Sequence, residues 1–347
     1  MTETIDFDKR HAVETGRRFV ELSRQVKAAG LLEFRVGRYL VTLALNTGMI
    51  AAGLVAFFLI GDSWWQLLVA VWMGVCGGQS AFVWHDAGHK AMFRSKAAST
   101  LMGRIHANLV HGVSYGWWVN HHNRHHSHPN HLELDPDIGR RTVIFDMSQY
   151  PSRQGFARFV VRYQSVLFFV LLVLEGIKMH RTALQNLLGR KLANPWIEGA
   201  LLVAHAAIYL GCVFWVLSPL KAIAFVLVQQ AVLGVYFGML FAPNHKGLPV
   251  RTDAESLDWL ERQVLTSRNI RPSVLVDWLY GGLNYQIEHH LFPTMPRMNL
   301  GKCRVIVRDY CARNGIPYLE MGIVDSYKEV ATFLHEVSSP VRLGQVA

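Results

Sequence analysis

The chain has 347 residues, 51% of them hydrophobic and 17% charged, with a formal net charge of +10. That composition is too apolar for an ordinary soluble domain and too charged for a protein lying wholly within a membrane. No nucleic-acid recognition motif accompanies the basic excess, so a nucleic-acid partner is excluded and attraction to anionic membrane lipid accounts for the charge.

Residues 1–38 carry too many charges for a signal peptide and read as a cytosolic N-terminal segment. Two apolar runs follow, at about 39–60 and 64–84, split by Gly61-Asp62-Ser63. A second pair, at about 197–217 and 221–242, is split by Ser218-Pro219. Each run has roughly 20 residues, or about 30 Å of helix, which matches a bilayer core. Connections this short allow only helical hairpins. Of the 35 Lys and Arg residues, eight precede residue 39, fourteen lie between 85 and 196, twelve follow 242, and Lys221 stands alone at a hairpin turn. The positive-inside rule then turns both hairpin tips away from the cytosol. Trp64, Trp65 and Trp215 fall near the outer ends of the runs and Trp84 near an inner end, as an aromatic belt requires. The expected architecture is all-α and integral to the membrane: four spans in two hairpins, capped by cytosolic helices.

Two other stretches are apolar. Residues 157–177 are interrupted by Arg158 and Arg162 and read as an interfacial or cytosolic helix rather than a fifth span. Residues 254–270 place Leu257, Leu260, Val264 and Leu265 on one helix side. The four cysteines form no C-x-x-C pair, so neither a disulfide framework nor a cysteine zinc site is expected.

Three histidine clusters stand out: HDAGH at 85–89, HHNRHH at 121–126 and QIEHH at 286–290. Spacings of three and four set imidazoles on one helix face, and neutral imidazole is the commonest metal ligand. With 17 His in the chain, about one H-x-x-x-H pair is expected by chance, but not three such clusters. On the topology above, all three fall on the cytosolic side and together make one polynuclear site. Asp86 replaces the Glu of a zinc-protease H-E-x-x-H, which would also leave two clusters idle. No Glu has a His three residues later, so a carboxylate-bridged di-iron bundle is out. Haem would use only one or two of the histidines. A non-catalytic metal-binding or transport protein would line its path with histidines, yet His205 alone lies within a span. A histidine-rich dinuclear site that activates O₂ against an apolar substrate remains.

The same residues resemble the membrane fatty-acid desaturase family, whose boxes read H-x-x-x-H, H-x-x-H-H and [H/Q]-x-x-H-H. His85 and His89 match the first box, His122, His125 and His126 the second, and His289 and His290 the third, with Gln286 in its glutamine form. SHPNHLELDPDI after the second box and GGLNYQIEHHLFP around the third extend the similarity, which covers roughly 39–300, with 301–347 as a cytosolic tail. The resemblance implies two iron ions, O₂ as co-substrate and a cis double bond placed in a CoA- or lipid-linked acyl chain. It adds His245 as a further ligand, and leaves Gln286 to bind weakly, to bind through water, or to orient a neighbour. Related sites also hydroxylate or form ketones, so a lipid hydroxylase or ketolase is the first alternative and a non-catalytic metal-binding membrane protein the second. No H-P-G-G haem motif, Cys₄ pattern or G-x-G-x-x-G fingerprint occurs. An external electron carrier is therefore expected: ferredoxin, rubredoxin or cytochrome b5. A bacterial cytoplasmic membrane is favoured over the endoplasmic reticulum.

Asp86, Asp135, Asp137 and Glu288 lie close enough in sequence to orient ligating rings. Asn123 and Asn130 match family positions. His121 and His128 are expected beside the site or exposed, and His106 and His111 as packing residues, while His11, His180 and His335 carry no signal. Tyr115, Trp117 and Trp118 are candidates for lining an acyl path or for packing.

Overall fold

A computed structural model describes residues 17–139, 142–189, 191–252 and 257–346. His11, and the start of the apolar stretch at 254–256, lie outside the described residues. The chain is helical nearly throughout. After α1 (residues 17–28) come α2 (Val36–Ile60), α3 (Gln66–Gly88), α4 (Lys96–Arg104), a π-helical turn (Ile105–Val110) and α5 (Tyr115–Ser127). Then follow α6 (Phe156–Arg162), α7 (Gln164–Leu171), α8 (Glu175–Leu188), α9 (Pro195–Val216) and α10 (Pro219–His245). The last part holds α11 (Trp259–Leu265), α12 (Val274–Tyr280), α13 (Gln286–Leu291), α14 (Leu300–Arg313) and α15 (Ile323–Val337). Strands β1 (Asn269–Ile270) and β2 (Glu320–Met321) pair in parallel.

Among the described residues, four helices are long and apolar enough to cross a membrane: α2, α3, α9 and α10. They are the four expected spans, and the protein is an all-α integral membrane protein. The stretch at 157–177 forms no single helix, being broken at Tyr163 and again by the 3₁₀ turn Leu172–Leu174. The chain divides into two compact units, with boundaries between α1 and α2 and inside α5, α7 and α10. The hairpin unit comprises Phe34–His122 and Leu167–Phe241; the second unit comprises residues up to Glu33, Asn123–Val166 and everything from Ala242 on.

Within the hairpin unit, Gln66 closes the α2–α3 turn by donating to the carbonyls of Phe57 (2.6 Å) and Gly61 (2.9 Å) at the end of α2. Asp62 in that turn accepts from Ser218 and pairs with Lys221 (3.1 Å), tying the two hairpin tips together. Gly77 and Gly78 sit under Leu233 and Tyr236 with no room for a Cβ, so α3 and α10 pack at close range. Phe57, Val69, Val213 and Phe225 fill one core of this unit, and Trp84, Trp118, Leu233 and Phe237 another. Large apolar side chains on the outer faces, Leu59 and Trp215 among them, are exposed, as lipid-facing positions should be.

In the second unit, Leu22, Val26, Leu260, Val264, Ile287, Leu300 and Val307 form the core behind α13. Leu260 is completely buried there, confirming the expected apolar side of α11. We expect Leu260→Ala to cost about 2–5 kcal/mol through the cavity it opens, measurable as a shifted denaturant midpoint in detergent, with an unshifted midpoint refuting the packing.

Candidate metal centre

In the hairpin unit, α3 does not stop where the apolar run ends but continues to Gly88. His85 therefore lies on its last turn, with His89 at the cap. Helix α5 supplies His122. The Nε2 of His122 lies 3.1 Å from that of His85 and 3.0 Å from that of His89. All three rings are buried. A single N–H on His122 can serve only one of those two neighbours at a time. A metal ion accepting all three lone pairs has no such limit, and separations near 3 Å suit ligands about 2.1 Å from one ion.

The tautomers agree with that reading. His85 Nδ1 faces Asp86 Oδ1 at 3.1 Å, and Tyr39 on α2 donates to the other oxygen of Asp86 at 3.0 Å. With its proton held at Nδ1, His85 presents the Nε2 lone pair. The ring of His122 is stacked on Trp118 of its own helix, with centroids 4.6 Å apart.

The second unit repeats the pattern. His125, His245 and His290 bring ring nitrogens within 4.8 Å of one another, and the Nε2 atoms of His125 and His245 are 3.2 Å apart. Each has its Nδ1 tied to an acceptor. His125 faces both oxygens of Asp135 at 3.1 Å, His245 faces the carbonyl of Thr266 at 2.9 Å, and His290 faces Gln263 Oε1 at 2.9 Å. Gln263 is itself anchored by donating to the carbonyl of His126. The ring of His126 lies 4.6 Å from that of His289 and 4.2 Å from that of His290, so both remaining box histidines sit in this unit.

Asp135 is fully buried and also accepts the backbone N–H groups of Asn130 and Asp137, each at 2.8 Å. Burial opposes charge on both partners. The Asp135–His125 attraction outweighs it, holding the Asp135 carboxyl below its usual range and raising His125 above its own. Asp137 stands 3.4 Å from the same ring nitrogen.

Helix α10 reaches His245 despite Pro243. Arg268, almost wholly buried, donates to the carbonyls of Pro243 (2.6 Å) and Lys246 (2.7 Å), so a cation closes the helix end that carries His245. Gln286 has its amide nitrogen 2.9 Å from His245 Nε2, while its oxygen accepts from Asn244. It adjoins the ring nitrogen of His245 that faces His125.

Some expected roles shift. Glu288 orients no histidine: it accepts from Asn269 (2.8 Å) and Tyr318 (2.8 Å), and burial pushes its carboxyl up to about 7. Asn123 is exposed, whereas Asn130 donates to the carbonyl of His245. His106 is hydrogen-bonded to Ser80, and His205 to the carbonyl of Leu109. The two ring nitrogens of His180, which carried no sequence signal, engage the carbonyl of Gly112 and Gln230 Oε1. His121 packs on Trp117 and His128 near His131. Sequence reasoning missed Tyr39, Gln263, Thr266 and Arg268, none of which is near a box.

Comparison with known proteins accords with this geometry. The fatty acid desaturase profile matches residues 62–322. A Delta(8)-fatty-acid desaturase of Borago officinalis is 29% identical over 332 residues, 90% of this chain and 73% of that protein. A Delta(5) fatty acid desaturase of Caenorhabditis elegans is 29% identical over 337 residues, 93% of this chain and 73% of the relative. These relatives come from a plant and a nematode and lend no support to the bacterial origin expected above. The match spans both units and all three histidine boxes, and the chain belongs to the fatty acid desaturase family, as a membrane enzyme that desaturates fatty acids.

Proposed function

We propose that the protein is an O₂-dependent acyl desaturase that places a cis double bond in a CoA- or lipid-linked acyl chain using two iron ions. His85, His89 and His122 would hold one ion; His125, His245 and His290 would hold the other, with His126 and His289 as further ligands. Iron supplies, when bound, the power to activate O₂ for removal of two hydrogens from an unactivated C–C bond. The observation that carries the reading is the set of four Nδ1 atoms, on His85, His125, His245 and His290, each facing an acceptor, so that each Nε2 is left to ligate. Buried imidazoles suit a strong oxidant because they exclude water and hold no oxidisable thiol.

The chain's own groups do the rest of the work. Asp86 and Asp135 keep two ligands in one tautomer, and Arg268 holds the end of α10 in place. The metal face is read as cytosolic from the distribution of Lys and Arg. Electrons would come from ferredoxin, rubredoxin or cytochrome b5, whose acidic surfaces suit a chain of net charge +10. The test is expression in a desaturase-deficient host, with double bonds mapped in total lipids and iron measured in the purified protein. New unsaturated acyl chains and two irons per chain are expected. Hydroxylated or keto lipid instead would establish the alternative chemistry, and protein free of iron would sink the metal assignment.

A further inference from the structure

The hairpin unit contains a buried carboxyl group that the metal chemistry does not use. Glu198 lies in the first turn of α9 and is 2% exposed. Its carboxylate accepts from Asn108 Nδ2 at 3.1 Å, from the Ser114 hydroxyl at 2.7 Å and from the backbone N–H of Gly116 at 3.2 Å. Asn108 reaches it from the π-helical turn, a local widening of the backbone that commonly marks functional sites. Gly116 is the second residue of α5, and a Cβ at that position would overlap Glu198 Oε1. The glycine is what lets the carboxylate reach the backbone.

A helix start has N–H groups without helical partners and carries partial positive charge. In α5, Ser114 satisfies one of them, its hydroxyl accepting from Trp117 N–H at 3.2 Å. Glu198 satisfies another and also receives the hydrogen of that same hydroxyl. A side chain from a different helix therefore completes the cap. An ionisable group in a membrane-crossing helix is costly unless it is given work, and here three donors converge on it. The helix it caps carries His122, whose ring is stacked on Trp118 one turn earlier. His122 Nε2 goes where the start of α5 directs it.

The geometry points to Glu198 as a positioning residue: it fixes the start of α5 so that His122 Nε2 meets His85 and His89. This rests on the metal assignment proposed above, and the cap itself can be tested without iron. Three full-length variants suffice: Glu198→Ala, Gly116→Ala and Glu198→Gln. The glutamine keeps an oxygen for Ser114 and Gly116, and its amide can donate to Asn108 Oδ1, a buried oxygen with no partner. Hydrogen exchange of a peptide covering residues 115–122 should speed up roughly tenfold or more in both alanine variants, the loss of about one capping interaction, and return to the wild-type rate in Glu198→Gln. Iron should fall from two per chain to about one in the alanine variants, since His125 has its own anchor in Asp135, and recover in the glutamine variant. Unchanged exchange and iron in Glu198→Ala would overturn the inference. So would loss of both irons with a lowered melting temperature that glutamine does not rescue, which marks a general structural role. Wild-type protein without iron would defeat the metal assignment alone, while the exchange arm would still decide the cap.

Discussion

His122→Ala and His125→Ala are each expected to abolish unsaturated product and to leave a membrane-inserted protein with about one iron instead of two. His122 is the common neighbour of His85 and His89, at 3.1 and 3.0 Å, so its loss leaves two rings that no longer enclose an ion. His125 plays the same part beside His245 and His290. Loss of a ligand should exceed the ~10–100-fold penalty of disturbing a group behind one. Both side chains are buried, and truncation should cost a few kcal/mol of stability, so a melting curve must accompany the iron and product assays. The exposed His335→Ala is the control and should be silent. Wild-type product from either ligand variant would remove that residue from the metal set.

The spans and the histidine clusters were legible in the sequence for the same reason: both are local patterns. A run of some twenty apolar residues reports its own environment, and a three-and-four spacing of histidines reports its own helix face. The ends of the spans were less legible. Helical hydrogen bonding continues past the last apolar residue, so α3 runs through His85 to Gly88 and α10 runs through Pro243 to His245. The groups behind the clustered histidines were mostly hidden. Tyr39, Gln263 and Thr266 reach Asp86, His290 and His245 across 47, 27 and 21 positions, and no periodicity encodes such contacts. Sequence proximity even misled at Glu288. A helical neighbour one position away points about 100° round the axis, so Glu288 turns from the site of His289 toward Asn269 and Tyr318. Asp135 was legible only as a nearby carboxylate; the three donors that fix it are a product of the fold.

Those three donors make Asp135→Asn the more revealing substitution, because it preserves shape and removes only acceptor capacity. The carboxylate takes His125 Nδ1–H and the N–H groups of Asn130 and Asp137, which come at its two oxygens from different sides. An asparagine offers one oxygen and one NH₂, so at least one buried donor must face another donor. The mismatch should cost about 1–3 kcal/mol in stability. The larger effect is on the ligand. The amide NH₂ replaces one of two oxygens that each lie 3.1 Å from His125 Nδ1, which favours the tautomer with the proton on Nε2, the atom that would ligate, and metal affinity or activity should fall ~10–100-fold. The variant should therefore fold, melt slightly early, and lose iron from the second unit while His85, His89 and His122 keep theirs. Asp137, 3.4 Å from the same nitrogen, is the group that could substitute. Asp135→Asn/Asp137→Asn should accordingly be worse than either change alone. If Asp135→Asn holds two irons at wild-type affinity, the hydrogen bond does not set the tautomer of His125, and the carboxylate serves only to close the loop around Asn130.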